Sequence, residues 1–164
     1  MDPEVNIAFT KIREEGNTIY IGHRYEDEDL KETLSGGESG ILREFDTKRV
    51  NSSRHTRVYR FMLNGNEVYC KVYLKRSWMD TVKDIFRPGG AQRAFQASLM
   101  LKDNGFFSPE VIAMILKPDS CLLTAGVTDA PAINRVITSG TSSRQVQRKK
   151  HLLHEFGKTV GKMH

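Results

Sequence analysis

The clearest patterning in the chain lies between Thr56 and Leu74. Thr56-Arg57-Val58-Tyr59-Arg60-Phe61-Met62-Leu63 alternates polar and apolar side chains, the period of a strand with one covered face. Asn64-Gly65 follows. Both central positions of a type I′ turn need positive φ, so this dipeptide predicts a hairpin. The returning segment, Val68-Tyr69-Cys70-Lys71-Val72-Tyr73-Leu74, is apolar at almost every position. That predicts a strand at the centre of a sheet or covered on both faces, with Lys71 as its one charged residue.

Further along, Arg87-Pro88-Gly89-Gly90 breaks the chain, and Ala91 to Asn104 reads as a helix. Ala91, Ala94, Phe95, Ser98 and Leu101 recur at helical spacing, Asn104-Gly105 supplies a left-handed stop, and Pro109 prevents continuation. Val111–Leu116 and Ser120–Thr124 are short apolar runs split by Lys117-Pro118-Asp119, which predicts a second hairpin. Gly126 to Pro131 reads as a connector, and residues 133–143 carry no clear period. Ser143 to His164 is amphipathic: Val146, Leu153, Phe156, Val160 and Met163 form a stripe opposite Arg144, Arg148, Lys149, Lys150 and Lys158. In the first fifty residues the pattern is weaker. Asn17–Gly22 reads as a strand, Tyr25–Leu34 as a short acidic helix, and Leu34–Gly40 as a flexible connection. The succession predicts an α+β layer: an antiparallel five-stranded sheet with one packed helix, followed by a long helix.

Composition narrows the class. The chain has 164 residues, room for one domain or slightly more, and at 38% hydrophobic and 27% charged it belongs with globular proteins. No apolar run approaches the roughly 20 residues a bilayer span needs. Met1-Asp2-Pro3-Glu4 lacks the basic start and apolar stretch of a secretory signal, so the expected location is cytoplasmic. Cys70 and Cys121 are too few for a disulfide framework or a zinc site and sit in apolar runs, which predicts buried thiols. The five histidines do not form a metal spacing; His151 and His154 share a helix with Lys149 and Lys150 rather than with carboxylates. A formal net charge of +5 favours anionic partners such as nucleotides, phosphorylated glycans, acidic lipids or nucleic acid. The basic runs Arg144–Lys150 and Lys75-Arg76-Ser77-Trp78 read as solvated faces, or as contacts to acidic headgroups at a membrane surface.

Two local features suggest chemistry. A lysine inside an apolar strand is costly to bury unless its ammonium meets an anion, and a nucleotide phosphate would supply one. The alternative is a lysine that reaches solvent along its stem or pairs with a surface carboxylate. Just before the first hairpin strand, the turn Asn51-Ser52-Ser53-Arg54-His55-Thr56 offers short polar side chains and backbone amides. A nest of amides can cover phosphates, and a solvated turn is the alternative. The turn contains no glycine, unlike the glycine-rich loop of protein kinases.

The ordered segments Val58-Tyr59-Arg60-Phe61, Val68–Tyr73, Phe86-Arg87-Pro88-Gly89-Gly90-Ala91-Gln92-Arg93-Ala94-Phe95 and Leu101–Val111 resemble the lipopolysaccharide kinase family, which includes the Kdo kinases and the core heptose kinases. Leu153–His164 resembles the helix that in those proteins leads into the catalytic loop. The likeness covers roughly residues 49–164. It implies an N-terminal extension (1–48), a protein-kinase-like small lobe (49–127), and a hinge exit with the first large-lobe helix (128–164). It also implies ATP as cofactor, with Lys71, Ser52, Ser53, Arg54 and Thr56 near its phosphates and Leu123, Thr124, Ala125 and Val127 as the hinge against adenine. The implied acceptor is a lipid-linked or core oligosaccharide, phosphorylated on a Kdo or heptose hydroxyl, with an acidic membrane surface as a further partner.

Two departures from the family pattern stand out. The small-lobe helix of kinases carries a glutamate for the strand lysine, yet Ala94 stands where the pattern suggests one, with Asp80, Asp84 or Gln96 as substitutes. The catalytic aspartate and the magnesium ligands of the fold lie beyond its long helix, hence downstream of His164, so the chain reads as a truncated, inactive portion with no catalytic or metal residues of its own. The alternatives are a non-catalytic basic module for nucleic acid or acidic membranes, and another branch of kinase-fold phosphotransferases.

Overall fold

The computed structural model describes residues 8–14, 16–74, 88–116, 120–127 and 143–163. In chain order the strands are β1 (Phe9–Glu14), β2 (Asn17–Gly22), β3 (Lys48–Ser52), β4 (Thr56–Leu63), β5 (Asn66–Tyr73), β6 (Val111–Leu116) and β7 (Ser120–Ala125). The helices are α1 (Glu28–Ser35), α2 (Gly37–Glu44), α3 (Gly90–Asp103) and α4 (Ser143–Met163). Two compact units result, Met1–Val127 and Thr128–His164.

All the strands of the first unit join one seven-stranded sheet in the order β1-β2-β6-β7-β5-β4-β3, antiparallel throughout. Asn64 and Gly65 adopt φ of 50° and 76°, so the β4–β5 hairpin forms where the dipeptide predicts it. The five expected strands are present, and β1 and β3 add one strand at each edge. Residues before Lys48 thus supply two strands and two helices to this same unit.

One face of the sheet carries the larger core. Ile19, Ile21, Tyr59, Phe61, Val68, Cys70, Val72, Ile115, Cys121 and Leu123 pack with Leu30, Leu34 and Ile41 of α1 and α2. Neither cysteine forms a disulfide, and both are buried. The flexible connection expected over Leu34–Gly40 is instead the tightly packed junction of two helices: Gly37, Glu38 and Gly40 are all buried. Gly40 serves close approach, lying directly against the Thr33 carbonyl, while Gly37 supplies a positive φ of 60°.

Glu38 is the buried acid of this junction. It accepts hydrogen bonds from Arg57 Nη1 at 3.1 and 3.3 Å and from the Tyr59 hydroxyl at 2.8 Å. Burial, then the bond to Glu38 and its charge, push the Tyr59 phenol above its ordinary value of 10.0. An acid whose folded value is raised stabilises the fold fully below its unfolded value, and that stability is lost as pH climbs through the folded value. Melting temperature should therefore fall as pH rises above about 10, and Tyr59→Phe should flatten that alkaline slope; an unchanged slope would exclude Tyr59 as its source.

The opposite face carries a second cluster beneath α3, in which Phe9, Tyr20, Ala91, Phe95, Val111, Met114 and Leu122 are buried. Phe95 meets the Phe9 ring edge-on at 5.0 Å and Tyr20 at 6.3 Å. In the second unit, α4 carries exposed Val146, Leu153 and Phe156. Among the described residues no helix is long and apolar enough to cross a membrane.

Candidate functional site

β5 lies between β4 and β7, and Lys71 pairs with Val58 on one side and Leu122 on the other. Its position is central, as the apolar run suggests. Only one face of the strand is sealed, however. Val68, Cys70 and Val72 are buried, whereas Tyr69 and Tyr73 are half-buried and Lys71 is exposed. The burial expected for Lys71 therefore does not occur. The physical reason is the limited reach of α3, which packs on β6, β7 and β5 through the Tyr73 end of that strand.

Lys71 shares its sheet face with Tyr73, two residues along the strand, and its Nζ stands 5.2 Å from the centre of the Tyr73 ring. A cation over an aromatic face at an exposed site is worth about 0.5–1 kcal/mol, enough to bias the side chain toward the ring. The first turn of α3 closes on the same ring. A Cβ at Gly90 would meet Tyr73 Cδ1 at 2.5 Å, which explains why glycine opens the helix. Burial raises the Tyr73 phenol above its ordinary value, and the charge of Arg93 opposes that rise. Arg93 is exposed on the first turn of α3.

The turn between β3 and β4 lies at the Tyr73 end of the sheet, since Thr56 pairs with Tyr73 and the Leu74 amide donates to the His55 carbonyl at 2.9 Å. Ser53 organises it. The Ser53 amide donates to the Thr56 carbonyl at 2.8 Å, and the Ser53 hydroxyl oxygen accepts from the His55 and Thr56 amides, each at 3.1 Å. These amides are used inside the turn, so what the turn offers outward is its exposed side chains, those of Arg54 and His55 among them. Ser52 ends β3 at the same place.

The expected hinge sits at the other end of the same strands. Val68 pairs with Ala125, and the Gly126 amide donates to the Glu67 carbonyl at 2.7 Å. Leu123 is fully buried with ladder partners on both sides, Cys70 and Ala113. Thr124 is half-buried opposite Tyr69, the Ala125 amide donates to the Glu110 carbonyl at 2.8 Å, and Val127 is exposed just beyond the strand. From Leu122, opposite Lys71, to Ala125 is three strand steps, roughly 10 Å. Between those points stands Tyr69, whose hydroxyl donates to Glu67 at 2.9 Å, while Arg60 pairs with the same carboxylate at 3.0 Å. The bond to Glu67 is the main cause raising the Tyr69 phenol.

Asp80 and Asp84, considered as carboxylate partners for Lys71, lie outside the described residues, as do Lys75–Trp78. Gln96 is exposed and belongs to a different concavity. That cleft, of about 1090 Å³, runs between α3, the His23–Tyr25 turn and the segment 106–110, with Phe9, Phe95, Phe106 and Phe107 among its walls. Phe107 is 84% exposed on it. Lys71 does not line it. Four separated segments build the cleft, and the sequence marks it only by the Phe106-Phe107 pair outside any periodic element.

No family model, no curated protein and no solved structure matches this chain.

Proposed function

We propose that the unit Met1–Val127 contains the nucleotide-binding lobe of a kinase-fold phosphotransferase. One observation carries the reading: Lys71 stands on β5, an inner strand of the seven-stranded sheet, on the face that α3 covers, between the β3–β4 turn at one end and the β7 exit at the other. A strand lysine beside a helix, with a turn over the phosphates, is the phosphate-holding arrangement of such enzymes. The roughly 10 Å from the lysine register to the β7 exit is of the order that separates a purine base from its outer phosphates. Exposure of Lys71 is compatible with this role, because a phosphate seat has to be reached from solvent.

In this reading ATP supplies the phosphoryl group. Lys71 holds its phosphates as a point charge, Tyr69 and Val58 offer half-buried surface to the base, and the chain beyond Ala125 flanks adenine. A bond forms between an acceptor hydroxyl oxygen and the γ-phosphorus, the bond from that phosphorus to the bridging oxygen breaks, and ADP leaves. The sequence resemblance points to a Kdo or heptose hydroxyl of lipopolysaccharide core as acceptor, met at the cytoplasmic side of a membrane. Among the described residues no group of three or more His, Cys, Asp or Glu converges.

Calorimetric titration with ADP tests the proposal. Removing a charge-assisted contact costs about 1.5–3 kcal/mol, so Lys71→Ala should weaken ADP at least about tenfold. Equal affinity for the two proteins would contradict it. Binding that ignores Lys71 but falls steeply with salt would favour a basic surface for polyanions instead.

A further inference from the structure

We propose that Arg93 is the second cation of the phosphate seat, and that the seat takes a di- or triphosphate across Lys71 and Arg93. The inference rests on the nucleotide-lobe reading and names how that lobe grips its ligand.

The starting point is the charge pattern of α3. Kinase-fold sites balance the strand lysine with a glutamate from the neighbouring helix. The first turn of α3 holds no acidic residue, and the helix has only Asp103, at its last position. The helix offers Arg93 instead, one turn beyond Gly90, whose backbone lies flush against the Tyr73 ring. Lys71 reaches the same ring from the strand. Lys71 and the first turn of α3, which carries Arg93, thus meet at one side chain, and the charge of Arg93 opposes the rise of the Tyr73 phenol.

Among the described residues neither cation has a carboxylate partner, although Arg57, Arg60, Lys31 and Lys158 all do. Two like charges repel, and an anion placed between them relieves that repulsion. The chemistry of the two side chains favours phosphate over a single carboxylate. The guanidinium is a planar fork suited to two oxygens of one phosphate, while the ammonium on the strand can serve a neighbouring phosphate. A ligand with linked phosphates satisfies both cations, and one with a single phosphate satisfies only one.

Calorimetry on the full chain separates the possibilities, with adenosine, AMP, ADP and inorganic pyrophosphate as probes. Arg93 is exposed, so Arg93→Ala should melt with the wild type, which a thermal scan verifies. The expected result is that Arg93→Ala weakens ADP and pyrophosphate about tenfold, changes adenosine by less than twofold, and reduces AMP less than ADP. Arg93→Lys should recover only part of the loss, since it restores charge but not the fork. If Arg93→Ala binds ADP and pyrophosphate as the wild type does, the Arg93 assignment is overturned while the nucleotide lobe stands. If pyrophosphate binding depends on Arg93 yet ADP binds no better than pyrophosphate, the two-cation seat stands and the nucleotide reading falls. A wild type that binds neither ADP nor pyrophosphate overturns both.

Discussion

Gly40→Ala should lower the melting temperature of the chain by roughly 10 °C, the largest effect expected from adding a single methyl group. The junction of α1 and α2 allows no side chain at this position: a Cβ on Gly40 would fall on the Thr33 carbonyl oxygen, with the carbonyl carbon at 3.2 Å behind it. The obstacle is backbone held in a helix, so it cannot yield as a flexible side-chain tip would. The two helices would have to separate, loosening Leu34 and Ile41 from the core of the sheet. Overpacking of this kind costs about 3 kcal/mol. Gly37→Ala is the control. Gly37 has φ of 60° and open space around its Cα, so its replacement should cost only the conformational penalty of about 1 kcal/mol. Urea unfolding of the two variants checks the ordering, and equal losses would contradict the close-packing account of Gly40.

Phe95→Ala should cost about 4 kcal/mol. Phe95 is 2% exposed and contacts Phe9 and Tyr20 through ring pairs at 5.0 and 6.3 Å. Besides Ala91 it is the only fully buried residue of α3, so most of the attachment of the helix to the sheet passes through this one ring. Truncation leaves a cavity in a cluster too small to collapse around it. The same anchor fixes Gly90 against Tyr73 and so places Arg93. A urea midpoint shift should therefore be accompanied by faster amide exchange across α3 and by weaker ADP binding, whereas slow exchange in α3 would show that other contacts hold the helix.

Much of the central sheet was legible. Asn64-Gly65 predicts the hairpin because its φ requirement is strict, and the stripe Ala91–Ala94–Phe95 predicts the covered side of α3. The edges were not legible, because β1 and β3 bury little. Phe9 is the only buried residue of β1, and Lys48-Arg49-Val50 leaves all three residues exposed. Gly36, Gly37 and Gly40 were misread for a different reason. Glycine permits either conformational freedom or close approach, and sequence spacing alone does not distinguish them. Tyr69 and Tyr73 misled the reading of Lys71: counted as apolar, they suggested two sealed faces, yet each remains half-buried. Within the candidate site, Lys71 was legible from its position in the strand. Arg93 was not, because an arginine on a helix reads as a solvated face, and only the packing of Gly90 on the Tyr73 ring brings the first turn of α3 beside the strand.

The most direct test is a map of ADP binding by amide chemical shifts on the isotope-labelled chain. The account predicts the largest changes at Lys71, Tyr73, Gly90 and Arg93, with a second group at Thr124–Val127. Changes confined to the cleft around Phe106 and Phe107, or none at Lys71 when the nucleotide is saturating, would contradict it.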